Sequence, residues 1–296
     1  MNPLAEIRFH GVRGSAPSSG TDFVEFGGDT PSVEIVAGEA RLFVDAGSGL
    51  KNVAVTQDFP EEFDLVLSHY HYDHLIGLPF FEPAWRINGR LRIFAPQFGD
   101  ADPAAILNTL FSAPFCPVRL EDLRPRVEII SYRPGDTFHA NGGALISTAS
   151  VNHPGGCSAI RICLGEGDVV YASDAEVADD PDAAALADFA KGALLFIADA
   201  MNDDADALHR RGWGHSSWRD MLGVARAAGV RTTALFHHDP RRTDISLIAL
   251  DAAAQGVDPS AFMVRQGARY RLHRCAEGPA RRIAERGEAA PWRCSR

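Results

Sequence analysis

"DLVLSHYHYDH", residues 64–74, sets three histidines and an aspartate into its last six positions, directly after an apolar run. The run reads as a strand, because short aliphatic stretches closed by polar turn residues favour extended chain. In extended chain, side chains two apart point the same way. His69 and His71 therefore face one side and can grip one ion. As the chain turns into "LIGLPFF" (75–81), Asp73 and His74 are offered to a second ion. Neutral imidazole and carboxylate are the usual nitrogen and oxygen ligands of zinc and similar ions. The alternative is a solvated histidine loop, and it is disfavoured because further candidate ligands follow in order downstream.

Working outward, ten runs have strand character: "SVEIVA", "RLFVDAG", "DLVLSH", "LRIFAP", "VEIIS", "ALISTASVNH", "SAIRICLG", "VVYASD", "LLFIAD" and "TTALFHH". Several end on a polar residue. Asp45 closes the second, His153 the sixth, Asp174 the eighth, and His237 and His238 the tenth. Strand ends in a layered fold converge on one edge, where loops carry chemistry on a rigid scaffold. Two helical patterns stand out. "DPAAILNTLF" (102–111) follows a proline-bearing start. "SSWRDMLGVARAAG" (216–229) places Trp218, Met221, Leu222 and Ala225 on one face, with serine at the N-cap and Gly229 as the stop. Strands lead and helices enter later, which predicts an α+β fold of two sheets sandwiched by helices. That domain is expected to span residues 1–276, with 277–296, "EGPARRIAERGEAAPWRCSR", as an Arg-rich tail.

Composition narrows the function. A hydrophobic content of 46% supplies a large core. Apolar runs fall short of the roughly 20 residues a membrane helix needs, and the start "MNPLAEIRFHGVRG" meets charge at once. A cytoplasmic location is expected. Five cysteines without CxxC spacing read as buried or idle thiols. The net charge is −10, with Lys51 and Lys191 the only lysines, which argues against a surface that tracks a long polyanion. A small anion held in one local pocket remains compatible. The "GVRGS" and "GSG" glycines are too short for a nucleotide fingerprint and read as tight turns. His10, His139, His209 and His273 lack a motif context and read as surface or satisfied core residues.

In order along the chain, "GVRGSAP", "FGGDTPSVEI", "LFVDAGSGL", "SHYHYDH", "VNHPGG", "YASDAE", "GWGHSSW" and "LFHHDP" resemble the metallo-β-lactamase-fold hydrolases. The resemblance runs from "FHGVRGSAP" to about residue 273. It is nearest to the phosphodiesterase branch, which holds tRNA 3′-processing endonucleases, phosphoribosyl cyclic phosphodiesterases and cyclic-nucleotide phosphodiesterases. It implies an αββα sandwich, two mixed β-sheets flanked by helices. It also implies two divalent metal ions, zinc first and manganese second. His69, His71 and His153 would hold one, Asp73, His74 and His237 the other, and Asp174 would bridge them. His237 is preferred to His238 because it stands three residues before Pro240; His238 then lies behind the ligands or in packing. Asp45 would organise the metal loop from behind, unless it merely closes a turn. His215, just before a helix N-terminus that favours anions, would contact phosphate or protonate the leaving oxygen; a capping role is the alternative. Asp203 and Asp204 either orient it or are solvated. Catalysis is expected to depend on His215 and Asp73. Di-iron members that activate oxygen usually carry glutamate where this chain has His71, so hydrolysis is favoured.

The interval from His74 to His153 carries "FFEPAWRINGRLRIFAP" and "FSAPFCPVRLEDL" rather than the long Gly/Pro-rich arm by which tRNA-processing members grip tRNA. A small or cyclic phosphodiester is therefore expected, of the cyclic-nucleotide or phosphoribosyl cyclic phosphate class. The phenylalanines and Trp85 of this interval fit the core better than a pocket wall. "MVRQGARYRL" (263–272) departs from the family's wording. Competing readings are an RNA endonuclease, or an ester, lactone or thioester hydrolase, and a non-enzymatic metal-stabilised ligand-binding protein. Relatives commonly form homodimers.

Overall fold

Period-2 alternation builds the molecule, because neighbouring strand residues must serve opposite faces of a sheet. The computed structural model describes residues 4–165, 167–177 and 179–273; the Arg-rich segment 277–296 lies outside the described residues. The strands are β1 (Ala5–Gly11), β2 (Ser32–Ala37), β3 (Ala40–Val44), β4 (Glu62–Val66), β5 (Arg90–Pro96), β6 (Arg126–Tyr132), β7 (Thr137–His139), β8 (Leu145–Val151), β9 (Cys157–Cys163), β10 (Asp168–Ala172), β11 (Leu195–Asp199), β12 (Thr233–Phe236), β13 (Ala261–Met263) and β14 (Arg269–Leu272). The helices are α1 (Glu82–Arg86), α2 (Pro103–Leu110), α3 (Asp180–Phe189), α4 (Asp204–His209), α5 (Trp218–Ala228) and α6 (Asp244–Val257).

Two seven-stranded mixed sheets form, in the orders β14-β1-β2-β3-β4-β5-β6 and β13-β12-β11-β10-β9-β8-β7. In the first sheet the pairings from β14 to β3 are antiparallel and those from β3 to β6 parallel; in the second those from β13 to β10 are parallel and those from β10 to β7 antiparallel. The two halves thus repeat one topology without a visible sequence repeat. Along β11, Leu195 and Ile197 enter the core between the sheets, while Phe196 and Ala198 pack outward against α3 and α5. Along β3, Leu42 and Val44 face inward and Phe43 faces the α1–α2 layer. Each of these leucine, isoleucine, valine and phenylalanine side chains contributes roughly 1.5–3 kcal/mol on burial. Helices cover both outer faces, so the layers are αββα.

All ten expected runs are strands. Helix α5 buries Trp218, Met221, Leu222 and Ala225, is capped by the Ser217 hydroxyl and ends at Gly229 in a left-handed conformation. Four described strands, β1, β7, β13 and β14, fall outside those runs; the outward positions of β1 and β14 carry Glu6, Arg8, Arg269 and Arg271. "MVRQGARYRL" supplies the end of β13 and all of β14, which pairs with β1. The sequence analysis also passed over α3 and α6, alanine-rich helices whose apolar stripe is diluted. Trp85 packs in the α1–α2 layer and donates its indole N–H to the Pro79 carbonyl, so it is core rather than pocket wall. Cys116, Cys157 and Cys163 are free thiols. Among the described residues, no helix is long and apolar enough to cross a membrane.

One buried charge tests the outer half of the first sheet. Glu34, in β2, is buried and accepts from Arg41 (2.6 Å) and Arg8 (3.3 Å), with the His10 ring at 2.9 Å. Burial works against its charge, but the bonds from His10 and Arg41 outweigh it and lower its pKa to about 2. A carboxylate depressed on folding stabilises the fold above its unfolded pKa, and that stability drains away as pH falls toward the folded value. Glu34→Gln is therefore expected to cost on the order of 3 kcal/mol at neutral pH. The deficit should shrink as pH falls from about 4.5 toward 2, read by denaturant melts of both proteins across that range.

Candidate metal centre

Strands β3, β4, β8, β10, β11 and β12 release their chains at one edge of the sandwich, and each delivers a polar residue there. β4 leads through Ser68 to His69 and His71, then into a 3-10 turn, Tyr72–His74. β8 delivers His153, β10 Asp174, and β12 His237. The rings of His69 and His71 lie 4.6 Å apart between centroids. His153 Nε2 stands 3.1 Å from His71 Nδ1. The ligand atoms of His69, His71 and His153 form one cluster, all within 4.8 Å of one another; those of Asp73, His74 and His237 form a second. Asp174 lies between them. Its Oδ1 is 3.9 Å from His69 Nε2, 3.8 Å from His153 Nε2 and 3.3 Å from His237 Nε2, and its Oδ2 is 3.2 Å from His74 Nε2. All seven expected ligand residues thus meet at one place.

The outer hydrogen bonds decide which ring nitrogens carry protons. Asp45 accepts from the Ser68 backbone N–H, the Ser68 hydroxyl, the Tyr171 hydroxyl and His74 Nδ1, at 2.7–2.8 Å. The Ser68 hydroxyl points its O–H at Asp45 and so accepts from His69 Nδ1 at 2.9 Å. His153 Nδ1 donates to the Gly214 carbonyl at 2.8 Å. His69, His74 and His153 therefore each turn an Nε2 lone pair toward the centre, and His69 Nε2 is buried with no hydrogen-bond partner. Converging lone pairs and carboxylates need a cation to hold them together. Burial works against a charge at His74, yet Asp174, Asp73 and Asp45 outweigh it and push its pKa well above normal, so the cluster favours a positive group at His74 Nε2, a proton or a metal ion. His237 and His74 hold Asp174 and Asp73 well below the usual carboxylate range against the cost of burial. The donor set suits divalent zinc-like ions.

The N-terminal loop closes over the second cluster. The Ser15 amide donates to Asp73 Oδ2 at 2.8 Å. Gly14 lies so close to His237 that a Cβ there would stand 2.4 Å from Nδ1. "GVRGS" thus does more than turn the chain. Ser15, Asp45 and His237 are the described non-glycine residues with positive φ, near 60°, so backbone strain gathers at this site. Asp45→Asn tolerates that backbone but offers one acceptor oxygen to several donors. It is expected to weaken binding at the His74 side about 10–100-fold, measured by competition with a chromophoric chelator.

His215 stands beside both clusters, its ring 5.2 Å from that of His153 and stacked 5.0 Å from that of His237. Its orienting partner is Asp199, whose Oδ2 lies 2.8 Å from His215 Nδ1. Burial lowers the His215 pKa, but the Asp199 carboxylate outweighs it and raises it to about 9. Asp199 also accepts from the Ala175 and Met201 amides and so ties the Asp174 turn to His215. Asp203 and Asp204 do neither of the things that orientation requires. Asp203 caps α4 and pairs with Arg242, while Asp204 pairs with Arg219, because a helix N-terminus competes for nearby carboxylates. His238 turns away from the clusters: its Nε2 donates to the Val264 carbonyl, its ring meets Phe26 edge-on, and burial lowers it to about 3. Glu176 was also missed. It is buried and accepts from the amides of Gly212 and Gly214, folding the loop that carries His215 onto His153.

Two layered sheets with paired His/Asp clusters at one edge define a metal-dependent hydrolase. The sequence pattern of the beta-lactamase superfamily domain matches residues 40–238, and the chain belongs to that superfamily. It is 23% identical over 274 residues to ribonuclease Z of Thermoplasma volcanium, covering 76% of this chain and 86% of that one. It is 28% identical over 207 residues to the probable metallo-hydrolase YhfI of Bacillus subtilis, covering 68% and 76%. The crystal structure of YhfI superposes with a TM-score of 0.68 at 21% identity, over 91% of this chain and 99% of that one. A diphosphatase of the PhnP family superposes at 0.64 with 16% identity, over 92% and 98%. At such identity these structures establish the fold.

Proposed function

We propose that the protein is a phosphodiesterase that hydrolyses a small or cyclic phosphodiester at two divalent ions. His69, His71 and His153 would hold one ion, Asp73, His74 and His237 the other, with Asp174 shared. The observation that carries the reading is the His215–Asp199 pair set against both clusters. Bound divalent ions would supply Lewis acidity toward phosphoryl oxygens and a water ionised near neutral pH. The chain's own residues do the rest. Asp45, Ser68 and the Gly214 carbonyl fix the imidazole tautomers. Ser15 fixes the Asp73 carboxylate. His215, held at Nδ1 by Asp199, presents its other ring nitrogen to a departing oxygen and can give it a proton.

A small substrate is supported by the net charge of −10 and by the residues between His74 and His153, where α1, β5, α2 and β6 build the first sheet and its outer layer. The ribonuclease Z relatives favour a second reading, cleavage of RNA. Purified protein with zinc or manganese is to be given bis(p-nitrophenyl) phosphate, 2′,3′- and 3′,5′-cyclic nucleotides, phosphoribosyl cyclic phosphate and a short RNA. Turnover of a cyclic diester well above that of RNA is expected. Lactone or thioester hydrolysis with no diester turned over would defeat the reading.

A further inference from the structure

Resting on that reading of the reaction, we propose that Trp213 is a specificity-determining residue, a stacking surface for a planar base on the substrate. Trp213 is 64% exposed, so a large aromatic ring offers a flat face to solvent here. The backbone around it is held on both sides. The amides of Gly212 and Gly214 donate to the buried Glu176 carboxylate at 2.8 Å each. The Trp213 amide itself donates to the Arg210 carbonyl at 3.0 Å. Gly212 and Gly214 take φ of 84° and 87°, the left-handed region glycine enters without strain. The next residue, Gly214, is pressed against His153: a Cβ there would sit 2.2 Å from its Nδ1.

The ring therefore stands on a pinned loop, two residues from His215, so its Cα lies within about 7 Å of that of His215. The Arg210 guanidinium lies 5.9 Å from the indole centroid. Arg210 is itself held by Asp206, Asp239 and Asn202. A largely open ring on a backbone held in this way can receive a flat partner with little ordering of the loop. The chemistry that matches is an aromatic heterocycle joined through a sugar to the phosphorus being attacked. A nucleoside-bearing diester fits, and a diester without a base does not use the surface.

The test compares wild type, Trp213→Ala and Trp213→Phe on a 2′,3′-cyclic nucleotide and on phosphoribosyl cyclic phosphate. The ratio of kcat/KM for the base-bearing substrate to that for the base-free one is expected to fall about tenfold in Trp213→Ala, chiefly through KM, and to recover in Trp213→Phe. A second readout needs no turnover. Adenosine 3′-monophosphate should quench wild-type tryptophan fluorescence, ribose 5-phosphate should not, and the quenching should vanish in Trp213→Phe. An unchanged kcat/KM ratio, or quenching that survives in Trp213→Phe, overturns the proposal. Failure of the wild type to cleave any diester would remove the phosphodiesterase reading instead, while the quenching would still decide whether Trp213 meets a base.

Discussion

Asp174→Ala is expected to abolish turnover and strip the protein of bound metal. Asp174 is buried, and its two oxygens stand within 3.9 Å of Nε2 atoms from four histidines, His69, His74, His153 and His237. Among the described residues it is the carboxylate whose oxygens face ligand atoms of both clusters. Deleting it leaves converging lone pairs with less negative charge to offset the repulsion between two cations. The lost electrostatic stabilisation is several kcal/mol, which corresponds to at least about a thousandfold in kcat/KM. Elemental analysis should fall below the wild-type metal content, and the chelator-treated wild type should match the variant's activity. The melting temperature separates causes. Because a ligand that binds only the folded state raises stability, adding zinc should raise the wild-type melt by more than that of Asp174→Ala. A variant that keeps full metal content and activity would remove Asp174 from the centre.

His215→Ala is expected to lower kcat about 10²–10⁴-fold while leaving metal content near the wild-type value. Loss of metal on this substitution would instead make His215 a ligand, a possibility the geometry raises because its ring nitrogen lies within 4.8 Å of ligand atoms of His153 and Asp174. The leaving group supplies a second reading. A sugar alkoxide needs a proton as it departs, whereas p-nitrophenolate leaves as a stable anion. If His215 is the proton donor, the loss should be much larger on a cyclic nucleotide than on bis(p-nitrophenyl) phosphate. Asp199→Asn should show the same pattern more weakly, because Asp199 reaches the departing oxygen through His215, which it holds at Nδ1. Equal losses on both substrates would mean that His215 binds phosphate rather than donating a proton.

The centre was legible to different depths. His69, His71, Asp73 and His74 sit in one short segment, and His153, Asp174 and the pair His237 and His238 each close a strong apolar run, so local pattern nominated them; the family resemblance chose His237 over His238. Asp45 was legible for the same reason, and its bonds to Ser68, Tyr171 and His74 show what a strand-end aspartate does behind such a cluster. Asp199 offered that signal too, closing "LLFIAD". It was overlooked because Asp203 and Asp204 lie closer in sequence to His215, although a helix start claims them. His215 to Asp199 is a contact across 16 residues. Spacing does not encode it; the neighbouring positions of β11 and the loop before α5 do.

Alternating apolar residues and turn chemistry determine strands by themselves, because the pleat requires a face for every second side chain and a run of a few residues suffices to satisfy it. By that local rule the sequence alone determined ten of the described strands, the α5 boundaries and the types of side chain offered to a metal. Only the tertiary structure decided which nitrogen of each imidazole faces inward, that Glu176 pins the loop around Trp213, and that β14 returns to pair with β1. Those outcomes depend on groups tens to hundreds of residues apart meeting at hydrogen-bond distance. Chain packing sets such distances, and no local periodicity carries them.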